Sequence, residues 1–172
     1  MTWSSDKTIA ALRFAATAHG AQTVPGSGHP YIVHVVSVCT EVMDALRAES
    51  GHDEQLAVCC ALLHDVVEDT ATKLHELERA FGPSVAAGVA ALTKTNGMAD
   101  SLSRIREQPR EVWMVKLADR IVNLTPPAPP HWTSEKKRRY REEGQQILDA
   151  LGEASAHLAA RLRARIADYP IE

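Results

Sequence analysis

The 172-residue sequence predicts an all-α fold on three observations. Apolar residues recur at three- and four-residue spacing along nearly the whole chain, and few runs alternate as a strand would. β-branched residues are scattered among Ala and Leu rather than gathered in short runs. Gly, Pro and capping residues punctuate the periodic segments at the right places to start and stop helices. Together these give roughly eight to ten helices.

Taken in order, the first helix begins near Ser5, a suitable N-cap, and stops at Gly20. A loop dense in turn residues, Gln22-Thr-Val-Pro-Gly-Ser-Gly-His29, follows. Pro30 suits the first turn of a second helix running to about Arg47. Asp53 caps a third, which runs on to about Glu68. A short helix covers Lys73 to Ala80, Gly82-Pro83 breaks it, and another covers Ser84 to Thr93. Helices over Asp100–Glu107 and Arg110–Leu124 come next. The run Thr125-Pro-Pro-Ala-Pro-Pro130 cannot be helical and forms an extended connector. Helices over Ser134–Leu151 and Glu153–Asp168 close the chain. There is no internal repeat, and the proline run is too short to act as a linker between domains, so residues 1–172 are expected to form one domain.

Composition bounds the function. Hydrophobic residues make up 45% and charged residues 24%, the balance of a soluble globular protein. The formal net charge of −3 gives no basic field to draw nucleic acid. A polyanionic substrate would therefore have to be held by local positive charge or a metal. Cys39, Cys59 and Cys60 sit in apolar helical stretches without disulfide or CxxC spacing, and are expected to be buried reduced thiols. Residues 14–40 lack Asp, Glu, Lys and Arg, but their Pro, Gly and His residues exclude a membrane helix. Met1 to Arg13 has no apolar leader core, so the expected location is the cytoplasm.

Two segments carry chemistry. In Ala57-Val-Cys-Cys-Ala-Leu-Leu-His-Asp-Val-Val-Glu-Asp69, helical spacing places His64, Asp65, Glu68 and Asp69 on one side. A solvated helix end would look the same over those residues alone. The upstream turns, however, are apolar all round, so the helix reads as buried, and buried charges need partners. In Val112-Trp-Met-Val-Lys-Leu-Ala-Asp-Arg-Ile-Val-Asn-Leu124, Lys116, Asp119 and Asn123 share one face of another apolar helix. A salt-bridged core aspartate is the plain alternative there. His34 alone on its apolar helix would be an ordinary core histidine, but two other helices already offer a His, two Asp and a Glu. His34, His64, Asp65 and Asp119 together give two imidazoles and two carboxylates, a mixed set that suits Mn²⁺, Fe²⁺ or Zn²⁺ better than Ca²⁺. A divalent ion there would neutralise phosphate charge and acidify a bound water.

These residues resemble the HD hydrolase domain of RelA/SpoT-type alarmone enzymes. The matching pieces are His34, His64-Asp65 with Glu68-Asp69-Thr70, and Lys116-Leu-Ala-Asp-Arg-Ile-Val-Asn-Leu124. Ala18-His19 with Gln22, Pro30-Tyr31-Ile32, Phe81-Gly82-Pro83 and Leu92-Thr93-Lys94 support them, and the match spans about residues 8–150. It is closest to the stand-alone small alarmone hydrolases. The resemblance implies a helical HD bundle around a Mn²⁺ held by His34, His64, Asp65 and Asp119. It implies that Glu68 and Asp69 activate the attacking water, and that Asn123, Lys116 and Tyr140 face a nucleotide substrate. The implied reaction removes the 3′-pyrophosphate of ppGpp or pppGpp.

Two positions depart from that pattern. The family carries an Arg-Lys pair in the loop after the matching glutamine, whereas Thr23-Val24-Pro25-Gly26-Ser27-Gly28-His29 has neither residue. Val35 stands where a proline usually follows the first metal histidine. The first departure bears on base recognition and makes hydrolysis of another nucleotide a credible alternative; a non-catalytic HD-fold regulatory module is a third reading, against which the intact ligand set and the Glu68-Asp69 pair argue. The basic run Glu135-Lys-Lys-Arg-Arg-Tyr-Arg-Glu-Glu143 is either a grip for distal phosphates or a solvated helix face laced by i,i+4 pairs.

Overall fold

Every regular element of the described residues is helical, apart from one isolated β-bridge between Thr23 and Pro30. The structure is a computed structural model and describes residues 3–171. Met1, Thr2 and Glu172, the ends of the expected 1–172 domain, lie outside the described residues.

The helices are α1 (Ser5–His19), α2 (Ile32–Ala48), α3 (Glu54–Leu63), α4 (Val66–Asp69) and α5 (Leu74–Phe81). They continue with α6 (Pro83–Leu92), α7 (Met98–Arg106), α8 (Arg110–Asn123), α9 (Ser134–Leu151) and α10 (Ala156–Asp168), the last entered through a 3₁₀ turn at Gly152–Ala154. Their ends are chemically marked. The side chains of Ser4, Asp53, Thr133 and Ser155 each accept a main-chain N–H from the first turn they precede. Gly82, at φ 91°, ends α5 and lets Pro83 open α6.

Two helices form the centre. α3 is buried on every side from Leu56 to Leu63, and α8 from Glu111 to Ile121. They pack on each other, with α1, α2 and α6 around α3, and α2, α9 and α10 around α8. Each fully buried Leu or Ile of this core contributes about 1.5–3 kcal/mol. Gly88 permits the close approach of α6, since a Cβ there would stand 2.7 Å from Cys60 Sγ and 3.0 Å from Val112 Cγ2.

The structure corrects several predicted boundaries, among them the first cap, which is Ser4 rather than Ser5, and the start of α7, which is Met98 rather than Asp100. The helix predicted from Asp53 to Glu68 is broken at His64–Asp65, where Asp65 takes φ −101° and ψ −6° before α4 begins. The break follows from side-chain demands: His64 Nδ1 turns back to the Ala61 carbonyl, and Asp65 is drawn to the Tyr31 hydroxyl. The second helix starts at Ile32 rather than Pro30, because Pro30 belongs to a small hairpin-like loop. In that loop Val24 N donates to His29 O and Tyr31 N to Gln22 O, each at 2.8 Å. The last helix starts at Ala156 rather than Glu153, with Ser155 as its cap. The three cysteines are buried and free, as expected. No helix among the described residues is long and apolar enough to cross a membrane.

Candidate metal centre

The cleft opens where α2, the α3–α4 break and α8 converge. Its floor is made by His34, His64, Asp65 and Asp119, and Glu68, Asp69, Lys116, Asn123 and Tyr140 line it further out, in a volume of about 360 Å³. Every site residue expected from the sequence is therefore brought to one cavity. His34, His64 and Asp119 are buried and can each present a donor atom, all within 4.8 Å of one another.

Asp119 Oδ1 lies 3.5 Å from His34 Nε2 and 4.0 Å from His64 Nε2. Asp65 Oδ2 lies 2.9 Å from His64 Nε2 and 3.5 Å from His34 Nε2, and also accepts the Tyr31 hydroxyl at 2.6 Å. Donors sharing one ion at bonds of about 2.0–2.2 Å stand about 3–3.6 Å apart, so most of these separations suit a common divalent cation. His64 Nδ1 donates to Ala61 O at 2.8 Å, which directs Nε2 inward. That Nε2 is fully buried and has no partner of hydrogen-bond geometry. A buried nitrogen so left, facing two carboxylates, is what a metal ligand looks like before its ion is added.

The electrostatics agree. Burial disfavours a charged His64, but Asp65 and Asp119 outweigh it and push its pKa up to about 9. Burial likewise works against an ionised Asp119, yet Lys116 and then His64 bring its carboxyl down to about 2. Asp65 is held well below the carboxylate range against its burial, by His64 first. The site is thus a buried pair of carboxylates that demands positive charge.

The surrounding groups are fixed by further contacts. Lys116 Nζ donates to Asp119 Oδ2 at 3.1 Å, and Asn123 Nδ2 donates to Asp119 Oδ1. Glu68 Oε2 accepts the main-chain N–H of Lys94 at 2.8 Å, and Asp69 Oδ2 accepts Gln22 Nε2 at 3.0 Å. Gln22 Oε1 is in turn 2.9 Å from His19 Nδ1. Tyr140 lies beneath Arg120, whose Cζ is 4.1 Å from the ring centroid and whose Nη1 donates to the Tyr140 carbonyl. The outer residues of the basic run, Glu135, Lys136, Arg138, Arg139 and Glu142, are exposed, as a solvated face requires.

Sequence reasoning assigned no site role to Tyr31 or Lys94. Tyr31 packs between His19 and His34 with tilted rings, at centroid distances of 4.7 and 5.2 Å, while its hydroxyl holds Asp65. Burial first, then Asp65, push its phenol far above the ordinary value, so it remains a hydrogen-bond donor. Lys94 reaches Glu68 across 26 residues. Helical periodicity carries no signal for either contact.

The HD domain family model matches residues 11–162. Among curated relatives, the guanosine-3′,5′-bis(diphosphate) 3′-pyrophosphohydrolase MESH1 of Drosophila melanogaster is 29% identical, covering 94% of this chain and 93% of its own. The Homo sapiens protein of the same name is 31% identical, with 90% of each chain covered. The solved structure of a metazoan ortholog of SpoT, described as hydrolysing ppGpp and acting in starvation responses, superposes with a TM-score of 0.82. It shares 26% identity, and each chain is covered in full. The chain belongs to the HD domain family, among the stand-alone small hydrolases that MESH1 represents.

Proposed function

We propose that this chain is a Mn²⁺-dependent 3′-pyrophosphohydrolase of ppGpp and pppGpp that acts in the cytoplasm. The observation that carries the reading is the convergence of His34, His64 and Asp119 on one point in a cleft bordered by Glu68 and Asp69. The names of the relatives supply the substrate.

His34, His64, Asp65 and Asp119 would hold the ion, with Asp65 oriented by Tyr31. A cation held there would acidify water and offset phosphate charge. Glu68 accepts the proton of the attacking water, and Asp69, oriented by Gln22, fixes that water's direction. The water oxygen bonds to the phosphorus attached to the ribose 3′ oxygen. The phosphorus–oxygen bond to the sugar breaks, and the proton passes to the departing 3′ oxygen. The products are GDP, or GTP from pppGpp, and pyrophosphate. Asn123 and Tyr140 face the sugar, and Lys116 balances Asp119 while facing the cleft.

The loop over the adjoining space favours a second reading of base choice. An apolar cavity of about 540 Å³ continues from the metal cleft past Val24, Pro25, Pro129, Trp132 and Tyr140. Among the described residues no lysine or arginine lines it, so hydrolysis of nucleotides with other bases is favoured alongside that of ppGpp. A panel of guanine and adenine nucleotides, with and without a 3′-diphosphate, tests both readings. Pyrophosphate released only from 3′-diphosphates supports the assigned reaction. Release from 5′-triphosphates alone would contradict it.

A further inference from the structure

Arg104, on α7, does not line the cleft, yet both terminal nitrogens of its guanidinium donate to the segment that meets Glu68. Nη1 donates to the carbonyls of Ala90 and Ala91, at 2.9 and 3.3 Å. Nη2 donates to the carbonyl of Thr93 at 2.8 Å, and Nε to Asp100 Oδ2 at 3.0 Å. These carbonyls belong to the last turn of α6 and its C-cap Thr93, where a helix leaves its acceptors without partners. The next residue is Lys94, whose main-chain N–H holds Glu68 Oε2. On its far side, Thr95 Oγ1 donates to the same Asp100 oxygen at 2.9 Å. The turn carrying that N–H is thus pinned before and after Lys94 by one ion pair, Arg104–Asp100.

We propose that Arg104 is a positioning residue for the reaction: by fixing the end of α6 it sets the Lys94 N–H that orients the Glu68 carboxylate. This rests on the reading of Glu68 as the group that accepts the water's proton. A planar fork of several N–H donors can serve three diverging carbonyls and a carboxylate at once, which an ammonium on a flexible stem cannot. Without it, the turn is free to swing and Glu68 to leave the direction of the attacking water.

Steady-state kinetics on ppGpp with metal-loaded Arg104→Met, Arg104→Lys, Glu68→Gln and the Arg104→Met/Glu68→Gln double variant test this. Arg104→Met should lower kcat about ten- to hundredfold, the scale of a small misplacement of a reacting group. Its KM should stay within about twofold and its metal content should be unchanged. Arg104→Lys should recover some of the loss. In the double variant, Arg104→Met should add nothing to the effect of Glu68→Gln, because the oriented group no longer accepts a proton. If Arg104→Met does not fold, Thr95→Val loosens the same turn from its surface side and should show the same fall in kcat at constant KM. Wild-type kcat in these variants while Glu68→Gln is inactive would overturn the proposal alone, as would losses that multiply in the double variant. Full activity of Glu68→Gln would overturn the reading of Glu68 and the proposal with it.

Discussion

The imidazole of His64 donates through Nδ1 to the carbonyl of Ala61 at 2.8 Å, three residues back in its own helix. This hydrogen bond sits where α3 ends, fixes the ring and turns Nε2 toward Asp65 and Asp119. The break in the helix and the site thus share one contact.

The first prediction concerns the ion. His64→Ala or Asp119→Ala should abolish both metal content and hydrolysis, because each removes a donor from a buried set of few members. Elemental analysis of the purified variants checks this. Full occupancy in both would place the ion elsewhere.

A second prediction follows from the charge on His64. In the metal-free protein its pKa is about 9, raised by Asp65 and Asp119 against the opposing effect of burial, so at pH 7.5 the ring is protonated. Metal binding then releases about one proton, and the release fades as pH rises past that value. For stability the sign is the usual one for a raised histidine. The metal-free fold gains fully below the ordinary value of 6.5 and loses that gain as pH rises through about 9. Calorimetry in buffers of different ionisation enthalpy measures the proton, and thermal melts measure the loss. Metal binding without proton release at pH 7.5 would show that His64 is neutral.

Glu68→Gln should keep the metal and lose most of its turnover. A glutamine still accepts the Lys94 N–H but cannot take a proton, and general-base contributions run to about 10²–10⁴-fold. Single-turnover rates with metal-loaded protein decide the point.

Gly88→Ala should destabilise the fold and leave the metal centre intact. The new methyl would meet Cys60 and Val112, between α6 and the central helices. Overpacking of this kind costs about 1–3 kcal/mol, read from the shift in the denaturant midpoint. Unchanged stability would mean that α6 can shift without penalty.

Specificity gives the fifth prediction. With Val24 and Pro25 where a cation would stack on the base, guanine should be gripped less firmly than in relatives with a basic loop. The loss is about 0.5–2 kcal/mol. KM for ppGpp should be raised, and adenine analogues of the same phosphate pattern should be hydrolysed. Val24→Arg should shift the preference toward guanine. A native protein with low KM and strong guanine preference would contradict this.

The fold class and the two central helices were legible because their signals are local. Leu56 to Leu63 is apolar on all sides and Val112 to Ile121 is apolar but for Lys116, Asp119 and Arg120, and a helix so poor in polar residues must be buried. The polar residues interrupting that pattern, His64-Asp65 and Lys116, Asp119 and Asn123, therefore stood out, and all of them face the cleft. The break at His64 did not stand out, since helical spacing continues through it. Tyr31 and Lys94 were hidden for another reason: their partners Asp65 and Glu68 lie 34 and 26 residues away. Such contacts are decided by packing, which periodicity does not encode.

Attack of water on phosphorus at the 3′-diphosphate of ppGpp in this cleft is checked by running the Mn²⁺-loaded protein on ppGpp in ¹⁸O-water and weighing both products. Equal amounts of GDP and pyrophosphate are expected, with the label in the pyrophosphate and no turnover by His64→Ala. Label in GDP, orthophosphate in place of pyrophosphate, or undiminished turnover by His64→Ala would contradict it.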